Sequence, residues 1–542
     1  MNLKKNLQKL LTEAAQKAGF TPQSVIITSS KDEKHGDLSS NLPLAMAKAA
    51  KKVPMVVAES IISYFEKDEK IIVDVFPSPP GFINFNINPS YYQSLISEII
   101  KAGNAYGQSE LGKNKTANVE FVSANPTGPL TVGHGRNAVL GDTVANILEN
   151  HGYEVTREYY FNDAGRQMRI LGDSVEARYR EIVNGSSEFP EDGYQGEYIR
   201  DIARKIQEEH GNSIEKGDNV FRKSAEVAIF DNIKKSLKSL GIHHNNFSNE
   251  KTFYASGAVE KVTSDLRDKG LIYEAEGATW FKTTELGMDQ DRVLIKSSGE
   301  PTYRLPDIAY HINKVERDFD LIIDILGSDH VATYPDVVAA VKALDYKTDH
   351  FNVLIHQFVT LLRSGQKVKM STRKADFVTL EELVNDVGGD VVRYFFIMRN
   401  MNSHLNFDLD LAADQSEKNP VFYLQYAHAR ICNIIKHGER LEKDFMADYD
   451  PSLLTHLAEI ELLKAMEQFP EVMATAQNQL EPQDIANYLQ DLAARFHRLY
   501  VDCRVITDDN NLSAARIALI TATKIVLANG LMVLGISAPE RM

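Results

Sequence analysis

Residues 120–150, EFVSANPTGPLTVGHGRNAVLGDTVANILEN, constrain this chain more than any other stretch. Apolar and β-branched residues from Val119 to Val122 predict a short buried strand. Pro126, Gly128 and Pro129 break it, and Gly133 and Gly135 flank His134 where a helix should start. Leu140, Val144, Ile147 and Leu148 follow at helical spacing. A strand, a glycine-rich turn and a helix can take a phosphate chain, because backbone N–H groups point outward at the helix's positive end and glycine leaves the approach open. Many α/β proteins use the same pattern for packing alone, so by itself it assigns no ligand.

A second stretch, KVKMSTRK at 367–374, follows a predicted strand at 353–359 and carries four cations on a short polar loop. Cations this close repel one another unless an anion sits among them; the bland alternative is a solvated basic loop. In this order, TVGH and KMSTR resemble the two signature motifs of the class I aminoacyl-tRNA synthetases. The flanks SANPTGPL–VGHGRN and VKMSTRKADFVTLEEL are similar to the arginyl-tRNA synthetases of bacteria. The resemblance continues through HGDLSSN at 35–41, FNDAGRQM at 161–168, NPVFYLQYAHARI at 419–431 and the closing APERM.

Composition is compatible with this. A chain of 542 residues, 43% hydrophobic and 25% charged, can hold two to four domains with cores of their own. It has no run of eighteen apolar residues, and charges stand near the start where a signal peptide needs an apolar run, so a cytoplasmic protein without a membrane partner is expected. Cys432 and Cys503 show no C-x-x-C spacing, which argues against a structural metal. The net charge of −15 argues against general nucleic-acid binding, but local cation strips can still hold one tRNA.

The resemblance implies a multidomain α/β chain: a Rossmann-type parallel-sheet catalytic core at 112–416, with a connecting insertion around 172–272 and the KMSTR loop at 369–373. An additional N-terminal α/β tRNA-binding domain at 1–111 precedes it, and an all-helical anticodon-binding domain at 417–542 follows. Local patterns agree: Leu3, Leu7, Leu10, Leu11, Ala14 and Ala18 form a helical stripe stopped by Gly19, and residues 81–87 read as a strand. In the C-terminal part, Ile485, Leu489, Leu492 and Phe496 form a further stripe.

The same resemblance implies the chemistry. L-arginine and ATP give arginyl-adenylate and pyrophosphate, and arginine then passes to the terminal adenosine of tRNA(Arg). Mg2+ arrives with the nucleotide, and the enzyme is expected to be a monomer. The amino-acid carboxylate is already a nucleophile, so the protein's work is positioning and charge stabilisation. His134, Lys369 and Arg373 are the expected catalytic groups, with Thr131, Gly133, Asn137, Met370 and Ser371 completing the ATP site. Guanidinium needs paired planar acceptors, for which Glu120 and Asp307 are the candidates. Ser123, Asn125, His134, Tyr303, Asp329 and His330 are expected around them. Asn41, Tyr426, Arg430, Arg504 and Met542 are expected to touch tRNA. Two departures from the family pattern stand out: Thr131 replaces the first histidine of HxGH, and Thr372 the second lysine of KMSK. A noncatalytic tRNA-binding paralogue is the alternative of a different class.

Overall fold

The computed structural model describes residues 3–30, 32–163, 165–368, 378–440, 445–446 and 448–542. Its centre is a five-stranded sheet whose strands all run parallel, in the order Phe351–His356, Leu321–Gly327, Thr116–Glu120, Glu154–Phe161, Asn246–Asn249. The first strand in sequence is therefore central, and the chain winds outward in both directions from it. Where the winding reverses, between Thr116–Glu120 and Leu321–Gly327, the carboxyl ends of two strands diverge and leave a crevice, the usual place for a ligand in such sheets.

The central strand ends earlier than the residue pattern suggests, at Glu120 rather than Val122. Val122 and Ser123 take φ values of 68° and 39°, which carry the chain out of the ladder. A left-handed valine is strained and persists only where its surroundings fix it. Asn137 does so, accepting the Val122 N–H through Oδ1 at 2.5 Å. The strand expected at 353–359 is also two elements: Phe351–His356 joins the parallel sheet. Val359–Arg363 belongs to a separate sheet with Gln366–Lys367 and Leu405–Asp408. The segment expected as an insertion at 172–272 is mostly helical, but Asn246–Asn249 returns from it to complete the parallel sheet. The strands Ala278–Phe281 and Arg292–Ile295 pair in a small antiparallel sheet of their own with Ile272–Ala275.

Helix Val132–Asn150 lies across the central strand and is buried on nearly every side. Two of its glycines are packing sites. A Cβ on Gly135 would meet Leu380 Cδ1 at 2.5 Å, and one on Gly141 would meet the Phe121 ring at 2.2 Å. Gly135 thus lets a neighbouring helix approach; Gly133, with only Thr131 Oγ1 at 3.7 Å, is the one that stays open. The helix also buries Arg136 completely, and among the described residues no carboxylate forms an ion pair with it. Its guanidinium donates to the backbone oxygens of Gln357 (2.7 Å), Ser403 (3.0 Å) and Asn400 (3.1 Å). These carbonyls flank the sheet of Val359–Arg363, Gln366–Lys367 and Leu405–Asp408.

At the N-terminal end, an antiparallel sheet in the order Thr28–Ser29, Leu38–Ser40, Phe82–Ile87, Ile72–Ser78 packs with helices including Leu3–Lys17, which stops before Gly19 at φ 84°. At the other end, Pro420–Glu439, Leu457–Gln479, Gln483–Asp502 and Asn510–Val533 form a helical bundle. Asn510–Val533 is apolar and long enough to cross a membrane by composition. Within the protein, however, 67% of its most apolar window is buried against the other helices. The two ends touch: Lys464 pairs with Asp37 at 2.7 Å, and Tyr106 OH donates to Met466 O at 3.0 Å. One apolar core runs through all three regions.

Replacing Arg136 with methionine should leave three buried carbonyls without donors and cost on the order of 3 kcal/mol. Arg136→Lys should recover only part, because one ammonium cannot span all three. Urea unfolding of the three proteins checks this; an unchanged midpoint for Arg136→Met would contradict it.

Candidate active site

The crevice is floored by the carboxyl ends of Thr116–Glu120 and Leu321–Gly327 and faced by the start of Val132–Asn150. Thr131, just before that helix, donates its backbone N–H to His134 Nδ1 at 3.2 Å. With Nδ1 accepting, the neutral ring carries its proton on Nε2, and burial lowers its pKa, so the charged form is disfavoured despite the carboxylate of Asp329. The result is an uncharged N–H donor at the positive end of a helix, beside the open Gly133. Thr131 also forms a bridge with Thr379, and Leu380 N–H donates to Leu130 O at 2.8 Å. The residues that follow the KMSTR segment are thereby fastened to the TVGH turn. Lys369, Met370, Ser371, Thr372, Arg373 and Lys374 lie outside the described residues. On the near side, Val368 N–H bonds Leu361 O at 3.0 Å, and Lys367 is exposed.

Asn137, expected at ATP, has both ends of its amide engaged within the protein. Besides Val122 N–H it meets Ile325 O at 2.8 Å and His356 Nε2 at 3.2 Å, so it ties the ends of three strands together. His356 is held neutral, its pKa pushed down to about 4 by burial. Asp329 and His330 are exposed on the turn after Leu321–Gly327, 3.7 Å apart. Asn125 is exposed and donates to Gln167 Oε1 at 2.8 Å.

The expected pair of carboxylates proves unequal. Glu120 is buried and already engaged: Ser123 Oγ donates to Oε1 at 2.8 Å, and Tyr310 OH to Oε2 at 3.0 Å. The Lys314 ammonium closes on the same Oε2. Lys314 also reaches Asp324 Oδ1 at 2.5 Å. His311 donates from Nδ1 to Asp307 O at 2.7 Å and from Nε2 to Asp324 Oδ2 at 3.0 Å. Both partners can only accept, so the ring is an imidazolium, and its pKa is raised by Asp324 although burial opposes this. Glu158 pairs with Arg317 at 2.8 Å. Three cations, Lys314, His311 and Arg317, thus balance Glu120, Asp324 and Glu158.

Asp307 is left over. Its half-buried carboxylate has no ion-pair or hydrogen-bond partner among the described residues, and its pKa is pushed up to about 7, first by burial and then by Glu120 and Glu250. Glu250 close by has the Tyr160 hydroxyl at 2.8 Å and no cation among the described residues, so the pocket is short of positive charge and Asp307 is its carboxylate without any donor. Tyr303 begins the same helix, 62% exposed, its backbone oxygen accepting from Asp307 N–H at 3.2 Å. Lys314, Tyr310 and His311 were not foreseen from sequence. Yet Tyr303, Asp307, Tyr310, His311 and Lys314 recur at helical spacing along Arg304–Glu316, a polar stripe that continues the motif inward.

Four of the residues expected at tRNA come together. Tyr426, Arg430, Arg504 and Met542 line one cavity of about 600 Å³ with Tyr500 and His437. The Arg430 guanidinium lies 4.6 Å from the Tyr426 ring centre and 4.5 Å from that of Tyr500. Aromatic faces, a guanidinium plane and open volume suit a base turned out of its stack. Asn41 is exposed just before helix Leu42–Ala50 in the N-terminal region and is not part of this cavity.

Three family models account for the chain: an arginyl tRNA synthetase N-terminal domain at 2–87, a class I tRNA synthetase (R) catalytic domain at 95–431 and a DALR anticodon-binding domain at 424–542. An arginine–tRNA ligase of Desulfotalea psychrophila is 48% identical over 518 residues, covering 94% of each chain. One of Salinibacter ruber is 47% identical over 528 residues, again 94% of each. The solved Thermus thermophilus arginyl-tRNA synthetase covers 100% of both chains with a TM-score of 0.77 at 20% identity, a likeness of fold. With a domain model spanning most of its length and relatives nearly half identical along almost all of it, this chain belongs to the arginine–tRNA ligase family, the arginyl branch of the class I aminoacyl-tRNA synthetases.

Proposed function

We propose that the chain joins L-arginine to tRNA(Arg) in two steps, at the crevice between Thr116–Glu120 and Leu321–Gly327. The observation that carries this reading is the Asp307 carboxylate, without cation or donor among the described residues, set beside a helix start furnished for phosphate. Arginine brings the missing charge, and its guanidinium neutralises Asp307 through charge-assisted hydrogen bonds. One oxygen of the arginine carboxylate then attacks the α-phosphorus of ATP. The bond from that phosphorus to the bridging oxygen breaks, and pyrophosphate leaves. His134 donates from Nε2 to the phosphate oxygen where charge gathers. In the second step a ribose hydroxyl of the terminal adenosine attacks the activated carbonyl, and AMP leaves.

Among the described residues no three His, Cys, Asp or Glu side chains gather to hold a metal. On this reading Mg2+ arrives on the phosphates of ATP, and Lys369 and Arg373 supply further charge there. Glu120 accepts one more donor from the substrate at most, since Ser123, Tyr310 and Lys314 take its other lone pairs. The 600 Å³ cavity takes the middle anticodon base. We take the enzyme to be a monomer and place it in the cytoplasm, away from membranes.

Three measurements test the reading. As pH falls through about 7, Asp307 gains a proton and loses the charge that holds guanidinium, so kcat/KM for arginine should fall on that limb. Asp307→Asn should remove the limb and weaken arginine binding by about 2–4 kcal/mol. The sign for stability is opposite. A carboxyl with a raised folded pKa destabilises the free protein as pH climbs from its unfolded value near ~4 to about 7, so the same variant should melt higher at alkaline pH. An unchanged arginine KM would take Asp307 out of the pocket.

His134→Ala should slow pyrophosphate exchange on the order of a hundredfold, the scale for one preorganised donor. Thr131→Ala should cost roughly tenfold or less, because the Thr131 backbone N–H, which alanine keeps, bonds His134 Nδ1 at 3.2 Å alongside the hydroxyl contact at 3.3 Å. If the purified protein bound tRNA yet charged no arginine until Thr131→His was made, the noncatalytic alternative would hold.

Arginine anticodons share a middle C. Changing that base, or Arg430→Ala, should raise KM for tRNA(Arg) at least tenfold in aminoacylation, with arginine KM nearly unmoved. Indifference to the base would separate the cavity from anticodon reading.

A further inference from the structure

Lys314 is a fully buried ammonium deep in helix Arg304–Glu316, with no surface exposed to a substrate. Its Nζ is shared between Glu120 Oε2 and Asp324 Oδ1, and it lies 4.5 Å from the centre of the Tyr310 ring. A lysine so placed is stable only as one member of a neutral cluster; an ammonium removed from water without partners would lose its proton. The cluster's effect reaches the pocket through two residues. Glu120 is held ionised and fixed by Lys314. Asp307, one face of the same helix further out, is left outside the balance.

We propose that Lys314 is a specificity-setting positioning residue: as counter-ion to Glu120 and Asp324 it leaves Asp307 as the one pocket carboxylate among the described residues with neither a cation nor a hydrogen-bond donor, so the pocket admits a side chain with a fixed positive charge. This rests on the arginine-pocket reading above and extends it. Asp307 is faced by Lys314 and His311 from its own helix and by Glu120 from Thr116–Glu120. Tyr160 faces it from Glu154–Phe161, and Glu250 and Tyr254 from Glu250–Ala255. Lys314 and His311 make Asp307 more acidic; the carboxylates make it less so. Without Lys314, Glu120 becomes a second unbalanced carboxylate. The two then compete for one proton, and arginine must displace it to bind.

The test compares wild type, Lys314→Arg and Lys314→Met as full-length chains. Arginine KM and kcat are measured by aminoacylation of tRNA(Arg) from about pH 6 to about pH 9. For Lys314→Met the expected result is an arginine KM raised tenfold or more, kcat within about threefold, and the acid limb of kcat/KM moved to higher pH by about one unit. Lys314→Arg, which keeps the charge, should keep the limb near its wild-type place. A folded Lys314→Met protein with wild-type KM and limb overturns the proposal. So does a loss of kcat and KM together without movement of the limb, which marks a merely structural lysine. If Lys314→Met does not fold, Lys314→Met combined with Glu120→Gln removes the orphaned charge with its partner and should restore a cooperative melt. A double variant as unstable as the single one overturns the charge argument. Asp307→Asn distinguishes the two levels. If it leaves arginine KM unchanged, the pocket reading itself fails. If it is impaired while Lys314→Met behaves as wild type, only the present proposal fails.

Discussion

A helix with almost no exposed face must satisfy every polar side chain from the protein around it, and Val132–Asn150 is such a helix. Arg136 takes three carbonyls from the segments that flank the smaller sheet, and Asn137 takes the ends of three strands. Asp142 pairs with Arg393 at 2.7 Å and with Arg157 at 3.2 Å, while Arg393 also donates to Leu534 O at 2.9 Å. Asn146 donates to Val533 O at 3.1 Å. Burial thus turns one helix into the common anchor of the crevice, the platform of the second motif and the C-terminal bundle. The turns below His134 are tied to their surroundings at four side chains, Arg136, Asn137, Asp142 and Asn146, which fixes where the first turn sits.

The pocket shows what a neutral interior network does for recognition. Buried carboxylates attract cations indiscriminately unless something limits their charge. Here Lys314, His311 and Arg317 pair with three of them, while burial raises the pKa of Asp307 and of Glu250, which have no cation among the described residues. The free protein tolerates that imbalance at a cost in stability, which bound substrate would recover.

Much of this was legible in the residues. Gly133 and His134 announced the helix start, and the residues that the resemblance put at tRNA include Tyr426, Arg430, Arg504 and Met542, which line one cavity in the structure. What stayed hidden depends on long-range contacts. Local pattern favours Val122 as strand, and only Asn137, folding back from the helix, imposes its left-handed turn. Gly135 looks like an anion-site glycine until Leu380, 245 positions away, is seen against it. Glu120 looks like a free acceptor because Lys314 is 194 residues distant. Strand Asn246–Asn249 is too short and polar to stand out from the helical segment before it.

The last helix of the bundle also bears on how the chain is made. Asn529, in Asn510–Val533, donates to Gly103 O at 3.0 Å and Tyr106 O at 2.9 Å, 426 and 423 residues earlier in the chain. At a synthesis rate of about 5–20 residues per second, those carbonyls wait roughly 20–85 s for their partner to emerge. Meanwhile the core faces of the helices that await Asn510–Val533 have no cover, and that helix, when it comes, is apolar enough to resemble a membrane segment. Closure of this contact is therefore late relative to the synthesis of residues 103–106, and until then the apolar faces that Asn510–Val533 covers stay open to water.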